Sequence, residues 1–404
     1  MTSVAAPETA PVGLERAAYI SLLAFAAVTQ LSIAVAGIFL TLTGVLWLAL
    51  VVRGRERIQV PPMFWPLAAY GAATLVATLF SIDPWTSLID DKQLLLFLII
   101  PIAYRLLPGR RSQAVVDVVI TVGALHALVG IVQFGILKLD SLADRPHGLL
   151  SHYMTYSGTL MLVACTAAAR ILFRQQDRVW AALIMPALIV ALATTLTRNA
   201  WVGACAGIGL LLLMRDFRLI AVLPVIAVAF IFFAPPSVNQ RFVQTFWSTD
   251  TADPSAESGR DRVAMIRSGL HMIRDHPLTG VGPDMVRQVY AGYRDPAAVK
   301  QVNPHLHNVP IQIAAERGIP ALVIWLWFVA ALVRDFVRRW RSTRLPSLPT
   351  AALACVVAML GAGMFEYNFG DSEFLMLFLL LVTLPYAADR TAGTVPAVRR
   401  PRAA

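Results

Sequence analysis

The chain has 404 residues, of which 57% are hydrophobic and only 14% charged, with a mean hydropathy of +0.66. A soluble domain this apolar would have no surface to offer water, so the composition excludes soluble enzymes and indicates an integral membrane protein. The formal net charge of +10 is then expected to report membrane topology, and no nucleic-acid partner is implied.

Apolar segments near the length needed to cross about 30 Å of hydrocarbon recur from Ala17 onward without period-2 alternation, so the chain reads as all-α and polytopic. The opening MTSVAAPETAPVGLER carries two acids before its only arginine and lacks a small-residue cleavage site, which predicts a retained cytoplasmic tail over 1–16. Spans are predicted at 17–34, 36–52, 63–81, 93–107, 113–137, 152–173, 179–196, 200–214, 217–234, 319–337, 349–368 and 373–388, about twelve in all. The organisation is therefore a membrane domain over 17–234, a large outer loop over 235–318, three further spans over 319–388 and a basic tail over 389–404.

Arginine distribution fixes the expected orientation. One set of connections holds Arg53, Arg55 and Arg57, then Arg105, Arg110 and Arg111, then Arg170, Arg174 and Arg178, then Arg215 and Arg218, with further clusters at 334–344 and 390–402. The opposite short loops hold only Lys92, Lys138, Arg145 and Arg198. Both termini are thus expected on the cytoplasmic side. Cys165, Cys205 and Cys355 lie inside predicted spans without metal-ligand spacing and read as buried packing residues. His126, in the fifth span, reads as a hydrogen-bonded packing residue.

The loop over 235–318 is far longer than the other connections, and loops of that length usually carry function. Within it, Val263, Ile266, Leu270 and Ile273 fall at helical spacing and predict an apolar stripe. Arg260, Arg267 and Arg274 recur every seventh position on the same helix. They suit either lipid headgroups or a phosphorylated ligand, and outward arginines run against the topology rule. The following TGVG supplies turn glycines at Gly280 and Gly282, with no preceding strand to support a dinucleotide or P-loop reading.

The stretch NPHLHNVPIQIAAERGIP ends this loop. Asn308 is a good N-cap, Pro310 fits a first turn and Gly318 is a good terminator before Pro320 opens the tenth span. His305 and His307 are placed at the start of a short outer helix. Nearby arginine charge keeps a histidine neutral and able to accept a proton. Arginine forks match phosphate oxygens, and no Asp-x-Asp pair of the kind that holds a divalent cation is present, so no metal is expected. Glu316 and Arg317 read as a mutual pair or as a cap of the helix end. Glu366, Asp371 and Glu373 read as a solvated acidic loop, with orientation of a base or an acceptor hydroxyl as the sharper alternative.

These residues resemble the O-antigen ligases, a family that shares a superfamily with O-antigen polymerases and bacterial O-oligosaccharyltransferases. His307-Asn308, nine residues, then Gly318-Ile319-Pro320-Ala321 is similar to the family's His-Asn signature, and HPLTGVGPDM is similar to its Pro-Leu-x-Gly-x-Gly element. The resemblance implies the membrane fold of lipid-linked sugar transferases and an inverting, metal-independent glycosyltransferase without a cofactor. It implies a glycan on undecaprenyl pyrophosphate as donor and lipid A-core as acceptor, joined at the periplasmic face of the bacterial inner membrane. His307 matches the family's essential histidine, with His305 a second candidate base. Arg145 in DRPHG and Arg198 in TLTRNAW resemble its pyrophosphate-contacting arginines. A polymerase would run the same chemistry on a second lipid-linked glycan. A flippase or transporter is the non-enzymatic alternative, opposed by the absence of internal repeats and of mid-span carboxylates suited to ion coupling.

Overall fold

The computed structural model describes residues 12–141, 143–174, 176–221, 254–343 and 346–390. Their regular structure is all helical, without strands among the described residues. The helices are α1 Val12–Val28, α2 Ile33–Arg53, α3 Phe64–Leu79, α4 Pro84–Asp90, α5 Ile99–Leu106, α6 Arg110–Gly135, α7 Tyr153–Phe173, α8 Arg178–Thr194 and α9 Arg198–Arg215. After the undescribed stretch come α10 Pro254–Asp275, α11 Val286–Tyr293, α12 Val309–Ser342, α13 Ser347–Gly363 and α14 Ser372–Ala388.

Four of them, Ile33–Arg53, Arg110–Gly135, Tyr153–Phe173 and Val309–Ser342, are long and apolar enough to cross a membrane by length and composition. Phe64–Leu79, Arg178–Thr194, Ser347–Gly363 and Ser372–Ala388 are shorter apolar helices. The expected fourth span is a 3₁₀ segment, Asp91–Leu98, running into α5. Of the expected ninth span, only a 3₁₀ turn at Phe217–Ala221 is described, and the rest lies outside the described residues.

Burial follows composition. In α2, Ala36, Thr43, Trp47 and Leu50 form the inward stripe, whereas Ile38, Leu42, Val45, Leu48 and Val52 are exposed. An exposed row this apolar is suited to hydrocarbon, not to water. At the other extreme, α14 is buried from Glu373 to Ala387 and forms the axis of the bundle, packed on α5, α6, α7 and α13. Helix α9 lies closely against α13: a Cβ at Gly203 or Gly207 would press on the carbonyls of Ala358 and Ala354, the small-residue packing that lets membrane helices approach. Cys165 and Cys355 are buried, but Cys205 is exposed, because it lies on α9 away from the α13 face that Gly203 and Gly207 define.

A second, smaller core covers one end of the bundle. Met265 and Met272 of α10 pack with Val281, Met285, Tyr290, Leu306 and Ala315. The buried face of α10 is thus Ala264, Met265, Ser268 and Met272, while Val263 and Leu270 of the expected stripe are about half exposed. The inward face is rotated from the one that hydrophobicity alone selects, because small and flexible residues fit the close contact with α12.

Candidate active site

The site is built where two sequence motifs dock on each other. Helix α12 opens with Asn308 as N-cap: its Oδ1 accepts from Ile311 N at 3.0 Å, and its Nδ2 donates to Met364 O at 3.1 Å, tying this start to the end of α13. At Gly318 the backbone leaves the helix (φ 82°, ψ 166°), separating a short outer helix from the long apolar one. The Pro277–Gly282 turn fills that break. Val281 N donates to Ala315 O at 2.9 Å, Gly282 N to Glu316 O at 3.0 Å and Ile319 N to Pro277 O at 2.8 Å. Gly280 sits at φ 68° directly against the Glu316–Arg317 peptide, where no side chain has room.

Below this clasp lies a buried charge network. Arg317 Nη1 donates to Glu316 Oε2 at 2.6 Å and to Tyr367 Oη at 3.2 Å, and Nη2 reaches Asp90 Oδ2 at 3.5 Å. Burial pushes the Glu316 carboxyl up to about 7 against the pull of Arg317, with Asp90 adding to the rise.

His307 adopts a left-handed backbone (φ 50°), a conformation that costs a non-glycine residue of order 1 to 3 kcal/mol. That turn brings its ring to Glu366. Nδ1 of His307 lies 2.9 Å from Glu366 Oε2, and Oε1 accepts from Tyr367 N at 3.0 Å. His305 Nε2 stands 3.6 Å from Oε1, and the two imidazoles meet edge to face with centroids 4.2 Å apart. Burial works to raise the Glu366 carboxyl, but the His307 hydrogen bond and the two imidazoles prevail and hold it at about 2. Burial depresses His305 to about 4, outweighing the attraction of Glu366. At neutral pH the carboxylate is therefore ionised and the His305 ring neutral.

Glu366, with 7% exposure, and Glu373, with 9%, are buried, so the solvated-loop expectation is corrected: the α13–α14 connection folds inward. Asp371 caps α14 through Phe374 N at 2.9 Å and accepts from Thr155 Oγ1 at 2.5 Å.

The arginines separate into two groups. Arg145 lies 4.3 Å above the Tyr153 ring; burial lowers its pKa, and the charge of Arg262 lowers it further. Arg262 is itself lowered by burial, an effect opposed by Glu366 and Tyr153. Arg145 thus lies over Tyr153 within electrostatic reach of Arg262, and Arg262 is within electrostatic reach of Glu366. By contrast Arg260 is exposed, and Arg267, 59% exposed, faces Asp295 at 3.8 Å. These two share the outer face of α10 with Val263 and Leu270, an arrangement suited to headgroups. Arg198 is the first residue of α9.

Arg262 stands outside the seven-residue arginine rhythm of α10. The usable signal was its spacing of three and ten residues from the buried Met265 and Met272. His305, His307 and Glu366 have ligand atoms within 4.8 Å of one another and, among the described residues, could hold a metal ion.

A model of the O-antigen ligase family matches residues 183–326, from α8 through both docked motifs into α12. That stretch contains His305, His307, Asn308, Arg198 and Arg262 and stops short of Glu366. No curated protein matches the chain.

Proposed function

From the O-antigen ligase domain carried by residues 183–326, we propose that this chain transfers an O-antigen glycan from undecaprenyl pyrophosphate to a sugar hydroxyl of lipid A-core oligosaccharide. The reaction takes place at the periplasmic face of the inner membrane. The observation that carries the reading is the buried Glu366 carboxylate 2.9 Å from His307 Nδ1. An ionised carboxylate can only accept there, so Nδ1 bears the proton and Nε2 is left as an open base.

In this reading Nε2 takes the proton of the acceptor hydroxyl as its oxygen bonds to the anomeric carbon of the donor. The bond from that carbon to the pyrophosphate oxygen breaks, and its electron pair leaves with the lipid pyrophosphate. Attack opposite the leaving group inverts the anomeric centre. Arg145 and Arg262 receive the growing phosphate charge, because two partly buried guanidinium groups within electrostatic reach of each other favour a nearby anion. Their charge takes the place of a divalent cation.

A deletion strain tests the reaction. Its lipopolysaccharide should show complete lipid A-core without a long-chain ladder, while polymer accumulates on the carrier lipid. A core capped with one repeat unit points instead to a polymerase, and an unchanged ladder sinks both enzymatic readings. The purified protein should also transfer glycan in excess EDTA; loss of activity restored by magnesium, manganese or zinc would make the His305–His307–Glu366 cluster a metal centre.

A further inference from the structure

Next to the histidine pair is a cavity of about 260 Å³, set between the first turns of α7 and α9 and the α13–α14 connection. It touches His305 and Glu366, and His307 stands one ring beyond. Its lining, among the described residues, includes no lysine or arginine, whereas Glu366 and Asp371 both reach it. Such a wall repels phosphate. It accepts hydrogen bonds from hydroxyl or ammonium groups.

The lining supplies an independent pointer. Asn199, only 7% exposed, lines the cavity, and two further lining side chains, Asn368 through Oδ1 and His305 through Nδ1, have buried polar atoms without a hydrogen-bond partner among the described residues. Buried polar atoms are costly without partners, so this wall suits a ligand that supplies them. Beside the polar His152, Thr155, Tyr367 and Asn368, the lining has an apolar part in which Met161, Ala362 and Phe374 offer contact to carbon faces. Polar acceptors beside an apolar wall match the two faces of a sugar ring. The volume falls just below the roughly 300 to 1,000 Å³ usual for small-molecule sites, which suits one sugar residue and not a polymer.

We infer that this cavity is the acceptor subsite, holding one uncharged or amino-bearing sugar ring with Asn199 and Asp371 while its reacting hydroxyl faces the His307 base. The assignment rests on the transfer reading above. It divides the site by charge: donor pyrophosphate on the Arg145–Arg262 side, acceptor ring on the Asn199–Asp371 side.

The test compares purified wild type with Asn199→Ala and Ala200→Leu, the second filling the cavity without removing a polar group. Transfer from undecaprenyl-pyrophosphate-linked glycan to rough lipopolysaccharide is measured with donor and acceptor varied separately, and donor binding serves as the control for folding. Both variants should raise the acceptor KM about tenfold with donor KM and donor binding unchanged. A rise confined to donor KM, or wild-type constants in both variants, overturns the assignment and leaves the transfer reading intact. Wild-type protein that transfers glycan to no sugar-bearing acceptor removes the transfer reading itself.

Discussion

At the scale of single residues, the His307–Glu366 contact makes the strongest demand. His307 pays backbone strain and Glu366 pays desolvation, two costs that persist only where the surroundings impose the geometry. If the carboxylate sets the tautomer, Glu366→Gln should be far more damaging than its similar shape suggests. A carboxamide can turn its NH₂ toward Nδ1, which moves the ring proton to Nε2 and blocks the base. We expect losses of about 10²- to 10⁴-fold for His307→Ala and at least about 10²-fold for Glu366→Gln, with donor binding retained. His305→Ala should be milder; an inactive His305 variant beside an active His307 variant would exchange their roles. Arginine placement gives a second contrast. A charge-assisted phosphate contact is worth roughly 1.5 to 3 kcal/mol, so Arg262→Ala should slow turnover by about ten- to a hundredfold. Lysine at 262 should rescue only partly, since it lacks the fork. Arg267→Ala, on the outer face of α10, should change turnover little; equal losses at 262 and 267 would mean that α10 presents both faces to the donor.

At the scale of elements, the Pro277–Gly282 turn and the break at Gly318 form one unit, and Glu316 and Arg317 are buried by it. The carboxyl of Glu316 is raised from its ordinary 4.5 to about 7, so the folded protein keeps a proton that the unfolded chain releases between those values. That stabilisation is complete below about pH 4.5 and is lost as pH rises through about 7. Burial raises Asp284 and Asp371 in the same direction. The thermal midpoint in detergent should therefore be lower at pH 8 than at pH 5, and Glu316→Gln should flatten the slope without abolishing it. An identical slope in the variant would show that Glu316 is ionised at both values. Much of this element was legible beforehand, because capping and breaking are local: Asn308, Pro310 and Gly318 act within a few residues of themselves. The partner of His307 was not, since Glu366 follows 59 residues later and its role depends on the α13–α14 connection turning inward. The inward face of α10 was hidden for a related reason. Its contact with α12 sets Gly269 against Ile311, and buried Ala264 and Ser268 lie on the same inward side, whereas a hydrophobicity pattern selects Val263 and Leu270.

At the scale of the whole molecule, helix composition and the charge rule made the all-helical bundle readable, but its arrangement around α14 was not. Every apolar helix offers a similar surface, and only the packing of α5, α6, α7 and α13 shows which one is central. The bundle then has two chemically different ends. One carries the ion pairs Arg105–Glu56 and Arg111–Glu15 and the exposed Arg334 and Arg338; the other carries His305, His307 and Glu366 under the α10 to α11 cap. The positive-inside rule predicts the arginine-rich end in the cytoplasm and hence the histidine end in the periplasm. Cysteine labelling can decide this in a background with Cys165, Cys205 and Cys355 replaced by alanine or serine. Arg274, 79% exposed in side chain on α10, and Arg338, exposed near the end of α12, offer sites that bear no catalytic group. In spheroplasts, a membrane-impermeant maleimide should label Arg274→Cys directly and Arg338→Cys only after lysis. The reverse pattern would put the His307–Glu366 pair in the cytoplasm, where a periplasmic transfer to lipid A-core has no place.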